Sequence, residues 1–320
     1  MTRYAAVDCG TNSIRLLVSD VAEVDGVLEF TEIHRLMEIV RLGQGVDATG
    51  EFAPEALERV RGALGRYAEV MRAEDVEAVR MVATSASRDA GNRDEFFAIA
   101  AEALAPWGAG AEVIDGDEEA ALSFRGAVDD LPEEAGPFAV IDVGGGSTEV
   151  IVGDHDSTVH GSLSVPMGSV RLTERFLHGD PAGPAEIDAA RAYAAGMVEK
   201  LHAEVPVGDA RTVVGCAGTF TTLSALAQGL ETYDPSAIHL STLRFDALRA
   251  LGRSILATDA EELAANPVVH SGRADVFAGG VICVEAMMDL FGDVADEFRI
   301  SEKDILDGIV TGLVDELRRH

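Results

Sequence analysis

Two short segments of this chain share a pattern of aspartate, glycine and hydroxyl residues that can bind phosphate groups. The first segment, Val7-Asp8-Cys9-Gly10-Thr11-Asn12-Ser13-Ile14-Arg15, returns as Ile141-Asp142-Val143-Gly144-Gly145-Gly146-Ser147-Thr148-Glu149. In each copy an apolar strand ends near the aspartate, a turn rich in Gly, Ser and Thr follows, and a second strand begins. Backbone N–H groups and hydroxyls in such a turn can surround phosphate oxygens. The aspartate can hold a divalent cation directly or through water.

Phosphate contacts are expected from both turns, because they offer hydroxyls, backbone amides and a nearby arginine. We expect the two turns to face one polyphosphorylated ligand from two half-domains. The residues predicted to bind phosphate are Thr11, Asn12, Ser13 and Arg15 in the first copy, and Gly145, Gly146, Ser147 and Thr148 in the second. The symmetry breaks at one position, where Arg15 of the first copy is replaced by Glu149 in the second.

Carboxylates flank both turns, and the second copy has two of them. Asp142 and Glu149 suit one Mg²⁺ that is held largely through water and substrate oxygens, and Glu149 can also orient an attacking water. Asp8 takes the corresponding place in the first copy and is a third candidate ligand. An aspartate at the end of a strand also stabilises turns through local hydrogen bonds. The recurrence of this aspartate in both copies partly supports that structural role.

Further phosphate-binding candidates lie in loops that follow other predicted strands. Arg88 and Arg93 flank the loop after Val82 and are candidates for a bidentate phosphate clamp, although a solvated arginine is about as expected at position 93. Ser85 in the same loop either caps the turn or donates a hydrogen bond to phosphate. The remaining candidates are Gly218 and Thr219 in a strand-to-helix turn, and Arg171 and Arg273, for which a surface salt bridge is the alternative.

The charge balance of this 320-residue chain limits its partners. The net charge is −31, from 56 acidic and 25 basic residues, and only two of the basic ones are lysines. Such a chain repels nucleic acids and anionic membranes, so an anionic ligand must be captured locally by arginines, backbone amides and metal ions. The three scattered cysteines form no disulfide or zinc pattern, and no signal peptide or membrane span is visible. These features favour a cytoplasmic protein.

Strand and helix patterns alternate along the chain and predict an α/β fold, with mixed sheets covered by helices on both faces. A hairpin turn is predicted at Asp25-Gly26, and a segment rich in Pro, Glu and Gly at Leu131–Pro137 separates the two halves. We therefore predict one domain over residues 1–128 and a second over residues 129–302. The C-terminal helix, residues 303–320, is expected to pack back on the first domain.

Further short motifs occur with the two repeats in a fixed order along the chain. They are Ala83–Ala90, Gly116–Ala120, Gly168–Leu172, Gly215–Thr219, Gly272–Asp275 and Ser301–Gly308. With these motifs the chain resembles the short two-domain form of the exopolyphosphatase/guanosine-pentaphosphate phosphohydrolase (Ppx/GppA) family, within the actin-like ATPase superfamily. The resemblance implies two duplicated actin-like (ribonuclease H-like) domains with the active site in the cleft between them. It also implies that Glu119 is the catalytic base, whereas a capping or solvated glutamate is the usual role for Glu in a first helical turn.

The function implied by the resemblance is a Mg²⁺-dependent exopolyphosphatase, which releases orthophosphate from the ends of inorganic polyphosphate by base-assisted attack of water. Hydrolysis of guanosine pentaphosphate (pppGpp) by the same machinery is the runner-up. An actin-like kinase and a non-catalytic phosphate sensor are further alternatives. The sequence leaves open whether a monovalent cation such as K⁺ activates the protein and whether it forms a homodimer. Neither a nucleic acid nor a membrane is expected as a partner.

Overall fold

The chain divides into two compact units in a computed structural model, which describes residues 2–24 and 26–319. The first unit comprises Met1–Leu122 and Ile305–His320, and the second comprises Ser123–Asp304. The division falls inside the helix Gly116–Val128, whereas the sequence predicted a boundary at the end of that helix.

Strands and helices alternate through both units. The strands are β1 (Thr2–Cys9), β2 (Ser13–Val24), β3 (Val27–Ile39), β4 (Ala78–Ala83), β5 (Ala111–Val113), β6 (Phe138–Val143), β7 (Thr148–Gly153), β8 (Val159–Val165), β9 (Thr212–Cys216), β10 (Thr242–Arg244) and β11 (Glu297–Ile300). The α-helices are α1 (Val46–Thr49), α2 (Pro54–Ala73), α3 (Ser85–Asp89), α4 (Arg93–Leu104), α5 (Gly116–Val128), α6 (Ser169–Phe176), α7 (Pro184–Glu204), α8 (Ala217–Ala227), α9 (Pro235–Ile238), α10 (Phe245–Leu256), α11 (Ala260–Ala264), α12 (Phe277–Phe291) and α13 (Ile305–Arg319). Short 3-10 helices lie at Ala105–Trp107, Glu133–Ala135, Val207–Asp209 and Ala274–Val276.

The first unit is built on a five-stranded sheet with the order β3-β2-β1-β4-β5. Strands β1, β2 and β3 are antiparallel, while β4 runs parallel to β1 and β5 parallel to β4. Successive side chains of β1 point to opposite faces of the sheet, so Ala5 and Val7 join one apolar cluster and Ala6 joins another. The second cluster also contains Ile305 and Ile309 of α13, which therefore packs on this sheet.

The second unit is built on a six-stranded sheet with the order β10-β11-β9-β6-β7-β8. Strands β6, β7 and β8 are antiparallel, and β9 runs parallel to β6. Every residue of the apolar strand β6 is buried, as expected for a central strand whose two faces are both covered. A single large core cluster joins the sheet to helices α7, α8, α10 and α12.

The two sheets repeat one arrangement. In each, the first three strands form an antiparallel meander, and the fourth strand pairs in parallel with the first on its other side. The repeated segments found in the sequence are the first hairpins of these sheets, β1–β2 and β6–β7. The predicted α/β fold with two mixed sheets and helices on their faces is confirmed. Among the described residues, no helix combines the length and the apolar character that crossing a bilayer requires.

Several predicted boundaries differ from those of the structure. From the sequence alone we predict a helix over Leu243–Leu256, but α10 begins only at Phe245, because residues 242–244 pair with β11 as the short strand β10. We also predict a strand over Val27–Ile33, but β3 continues to Ile39, because it pairs with β2 along its length. In the turn predicted at Asp25-Gly26, Asp25 lies outside the described residues.

Candidate active site

The residues that end and begin the two hairpin strands lie directly opposite each other in the sheets. In the first unit, Asp8 of β1 pairs in register with Arg15 of β2. In the second unit, Asp142 of β6 pairs in register with Glu149 of β7. Facing side chains of neighbouring antiparallel strands are close enough to interact, so the change from Arg15 to Glu149 decides which charge faces the aspartate in each hairpin.

Asp8 and Arg15 form an ion pair within the first hairpin. Nη2 of Arg15 donates to Oδ2 of Asp8 at 2.8 Å, and its Nε donates to the same oxygen at 3.1 Å. Both side chains are largely buried. Because Arg15 offsets the charge of Asp8, this hairpin offers a cation less negative charge than the second one does, and the predicted role of Asp8 as a metal ligand gains no support from this contact.

Asp142 and Glu149 place two carboxylates side by side in the second hairpin. The two residues are only 7% and 1% exposed. Ser123 Oγ of α5 donates to Asp142 Oδ2 at 2.9 Å, and Ser164 Oγ of β8 donates to Glu149 Oε1 at 2.6 Å. Ser164 also pairs in register with Glu149, so the row Ser164–Glu149–Asp142 crosses three neighbouring strands.

The first turn of α6 donates hydrogen bonds to the carbonyl groups of the glycine-rich turn in the second hairpin. The N–H of Ser169 donates to Gly144 O at 3.0 Å, and the N–H groups of Val170 and Arg171 donate to Gly145 O at 2.9 and 3.1 Å. Nε of Arg171 donates to the third carbonyl, that of residue 146, at 2.7 Å. The C=O and N–H of a trans peptide point in opposite directions, so the N–H groups of residues 145–147 point away from α6. They form a donor surface suited to phosphate oxygens.

The turn of the first hairpin is held by the segment that follows β3 in the same manner. The N–H groups of Val40 and Arg41 donate to Asn12 O at 3.0 and 2.8 Å, and the N–H of Gly43 donates to Thr11 O at 2.8 Å. The N–H groups of Asn12 and Ser13 therefore point away from this segment.

A glycine makes each of these close approaches to a hairpin turn feasible. A Cβ at position 43 would overlap the side chain of Thr11. A Cβ at position 168, just before α6, would lie 2.5 Å from the backbone of Gly145. The two hairpins are thus fixed by equivalent contacts in the two units.

Thr148 lies in the scaffold of the second turn. Its side chain is fully buried, and its hydroxyl donates to the carbonyl of Met167. This contact gives no support to its predicted role in phosphate binding, which stays a prediction. Ser147, by contrast, closes the turn through its carbonyl, which accepts the N–H of Gly144 at 3.0 Å.

Glu119 lies in the first turn of α5 and is 8% exposed. Its Oε2 accepts a hydrogen bond from Nη1 of Arg88 at 2.7 Å, and the same nitrogen donates to the carbonyl oxygen of Ile114 at 3.0 Å. Glu118 beside it is exposed and pairs with Arg80 at 2.7 Å. Only one of the two neighbouring glutamates is therefore buried next to a candidate phosphate-binding arginine.

The other two candidates of this loop differ in exposure. Ser85 is the first residue of α3 and is 6% exposed. Arg93 is the first residue of α4 and is exposed, in agreement with the solvated alternative considered for it. The structure thus brings Arg88, but not a clamp of two arginines, into contact with Glu119.

A third candidate phosphate-binding feature lies in the second unit at the start of α8. The guanidinium of Arg273 lies against Gly218, in the space that a side chain at position 218 would occupy. Ala217 before it has a positive φ of 66°, a backbone conformation that non-glycine residues rarely adopt. Thr219 follows in the first turn of the helix, and the cation of Arg273 there adds to the positive end of the helix dipole.

Two titrating groups near Arg273 have shifted pKa values. Burial, followed by the charge of Glu302, raises the pKa of Tyr233, whose hydroxyl donates to Glu302 Oε1 at 2.6 Å. Burial and then the charge of Arg273 lower the pKa of His270. Both groups therefore stay neutral near pH 7, and Arg273 keeps the positive charge at the start of α8.

Two α/β units whose sheets share one arrangement of their first four strands, each opening with a hairpin turn that can surround phosphate, define a duplicated actin-like protein. The chain belongs to the Ppx/GppA phosphatase family, whose sequence model matches residues 19–317. The resemblance found in the sequence is thus confirmed.

Named relatives and a solved structure agree with this family. The chain is 50% identical over 317 residues to Exopolyphosphatase 2 of Mycobacterium tuberculosis, covering 98% of this chain and 99% of that protein. It is 30% identical over 319 residues to guanosine-5'-triphosphate,3'-diphosphate pyrophosphatase of Vibrio parahaemolyticus, covering 99% of this chain and 60% of that protein. The crystal structure of an exopolyphosphatase-like protein is 38% identical, has a TM-score of 0.90, and covers 99% of this chain and 100% of that one.

Sequence reasoning missed the residues that hold the site rather than bind its ligand. Ser123 and Ser164 donate hydrogen bonds to the carboxylates of Asp142 and Glu149. The segments Val40–Gly43 and Gly168–Arg171 donate hydrogen bonds to the carbonyl groups of the first and second turns. Ser123 had one visible signal, since a serine on the apolar face of a predicted helix needs a hydrogen-bond partner. Ser164 had none, because its register with Glu149 depends on the connection between β7 and β8.

Proposed function

We propose that this protein is an exopolyphosphatase that removes orthophosphate from the ends of inorganic polyphosphate with the help of Mg²⁺. The observation that carries the proposal is the buried pair Asp142–Glu149 beside a turn whose N–H groups point to one side. The sequence similarity to Exopolyphosphatase 2 of M. tuberculosis supports the choice of substrate.

The donor set of the second hairpin fits Mg²⁺. Two carboxylates that face each other destabilise the protein unless a cation or a proton compensates them, and Mg²⁺ prefers oxygen ligands while keeping several waters. Among residues 2–24 and 26–319, no group of three or more His, Cys, Asp or Glu side chains is arranged to hold a metal ion. Asp142 and Glu149 would therefore hold the ion together with water and substrate oxygens. A bound Mg²⁺ would neutralise charge on the phosphoryl oxygens.

The turns and arginines would bind the rest of the phosphate charge. The N–H groups of residues 145–147 and of Asn12 and Ser13 would donate to phosphate oxygens. Arg88 would add a charge-assisted bond. In the structure the guanidinium of Arg88 is bonded to Glu119. A terminal phosphate would compete for that guanidinium and release the carboxylate, which is a weaker base while it is ion-paired.

Glu119 would then act as the base in the hydrolysis step. A water oxygen forms a bond to the terminal phosphorus, the bridging P–O bond breaks, and the shortened chain leaves with the bridging oxygen. One proton of the water passes to a carboxylate oxygen of Glu119, and the products are orthophosphate and a chain shorter by one phosphate.

The variant Glu119→Gln tests the proposal directly. Phosphate release from short polyphosphate is expected to fall by about 10²–10⁴-fold, because an amide cannot accept the proton. The matched control is Glu118→Gln, which makes the same change one residue earlier on the exposed side of α5 and should keep nearly full activity. Equal activity of Glu119→Gln and wild type would sink the assignment.

Hydrolysis of pppGpp is the second candidate, because the V. parahaemolyticus relative is named for a guanosine nucleotide with a 5′-triphosphate. The bond broken would again be a terminal phosphoanhydride, so the same residues would serve. Phosphate release from short polyphosphate, long polyphosphate and pppGpp at equal phosphate concentration separates the two candidates. The same assay with and without K⁺ tests activation by a monovalent cation.

We also propose that the protein works in a reducing cytoplasm. Its three cysteines are free and buried, and burial raises the pKa of Cys283 to about 12. A homodimer remains a prediction, which the molar mass in solution tests.

A further inference from the structure

Two serine hydroxyls hold the facing carboxylates of the second hairpin. Ser123 is fully buried on α5, and its Oγ donates to Asp142 Oδ2 at 2.9 Å. Ser164 is half-buried on β8, and its Oγ donates to Glu149 Oε1 at 2.6 Å. Each carboxylate thus receives a hydrogen bond from a different element of the second unit.

These contacts restrict how the carboxylates can turn. Ser164 lies in register with Glu149 on the neighbouring strand, so the backbone of the sheet fixes its distance. Ser123 is fixed by its helix, whose residues Phe124, Ala127 and Val128 are buried. Hydrogen bonds from such outer partners orient metal ligands and reduce the freedom that is lost when the ion binds.

We propose that Ser123 and Ser164 are positioning residues that set the affinity of the Asp142–Glu149 pair for a divalent cation. The inference rests on the metal site of the proposed function. A competing role is purely structural, in which the hydroxyls only satisfy buried oxygens. That role predicts a loss of stability on removing a hydroxyl, but no change in the affinity of the folded protein for metal.

The test measures binding of Mn²⁺ alone, without substrate, by electron paramagnetic resonance of the free ion. The variants are Ser164→Ala, Ser123→Ala and, as the matched control, Ser164→Thr, which keeps a hydroxyl on a strand that accommodates β-branched residues. We expect each alanine variant to bind Mn²⁺ about 10–100-fold more weakly than wild type. Ser164→Thr should bind within about threefold of wild type.

Thermal unfolding in EDTA establishes that each variant is folded, and the two serines provide independent tests if one variant fails to fold. Wild-type affinity in both folded alanine variants would overturn the inference and leave the metal site standing. Absence of Mn²⁺ binding to the wild type would overturn the metal site of the proposed function and this inference with it.

Discussion

At the scale of single residues, one register position separates the two hairpins. The first copy has an arginine opposite its aspartate, and the pair forms an ion pair. The second copy has a glutamate there, and two serines bond the carboxylates. Two buried carboxylates that face each other repel, and the cation that we propose for this pair would relieve the repulsion.

The variant Glu149→Gln should therefore stabilise the metal-free protein. In EDTA we expect the free energy of unfolding to rise by up to about 1 kcal/mol, because one of two facing carboxylates is removed while the amide oxygen can still accept from Ser164. Urea unfolding measures this change. The opposite effect is expected for Arg15→Gln, a loss of about 3 kcal/mol, because the buried Asp8 then loses its arginine. A large loss of stability for Glu149→Gln would contradict the account.

At the scale of elements, both turns are shaped by the segment that follows the third strand of the meander. The first turn accepts backbone N–H groups from the segment Val40 to Gly43. In the second turn the last carbonyl, that of Gly146, is bonded by the side chain of Arg171 instead. Removal of the Arg171 side chain therefore frees one carbonyl of the second turn without a change in the backbone.

The variant Arg171→Gln should lower kcat/KM for polyphosphate by at least about tenfold. Without the hydrogen bond from Arg171 to Gly146, the glycine-rich turn is less ordered, and substrate binding must then order its N–H groups. Steady-state kinetics on short polyphosphate measures the effect. Arg175→Gln, one turn later on the same helix, is the control, since Arg175 is exposed and stacks on Tyr193. An equal loss of kcat/KM in both variants would indicate a general effect of positive charge rather than an effect of the hydrogen bond that orders the turn.

The sequence predicted the hairpins well because strand alternation and glycine-rich turns are local signals. The facing of Asp8 with Arg15, and of Asp142 with Glu149, also follows from the short turn between antiparallel strands. The pairing of Glu149 with Ser164 on β8 could not be predicted from the sequence. It depends on the length of the β7–β8 connection and on an irregularity of register between Val152 and Gly153.

The sequence singled out the candidate ligands of the site but not the scaffold that holds them. Glu119 was chosen from the ordered family motifs, while its contact with Arg88 requires the tertiary packing of α3 against the start of α5. Thr148 was assigned to phosphate because hydroxyls in such turns often bind it. In the structure its hydroxyl donates to the carbonyl of Met167.

At the scale of the whole molecule, the acidic surface and the anionic substrate must be reconciled. With a net charge of −31 the chain repels polyphosphate at long range. Positive potential must therefore come from short-range features, which are Arg88, the N–H groups of the two turns, Arg273 and the divalent cation that we propose for Asp142 and Glu149. The duplication supplied two similar turns, and the change from Arg15 to Glu149 gives the second hairpin the facing carboxylates that we propose hold a cation.

The most direct test of this division of roles is the stoichiometry of Mn²⁺ binding to wild type, Asp142→Asn and Asp8→Asn, measured by equilibrium dialysis. We expect about one ion per chain in the wild type and in Asp8→Asn, and a loss of binding in Asp142→Asn, because only the second hairpin pairs two carboxylates. Binding that is lost in Asp8→Asn but kept in Asp142→Asn would contradict the account.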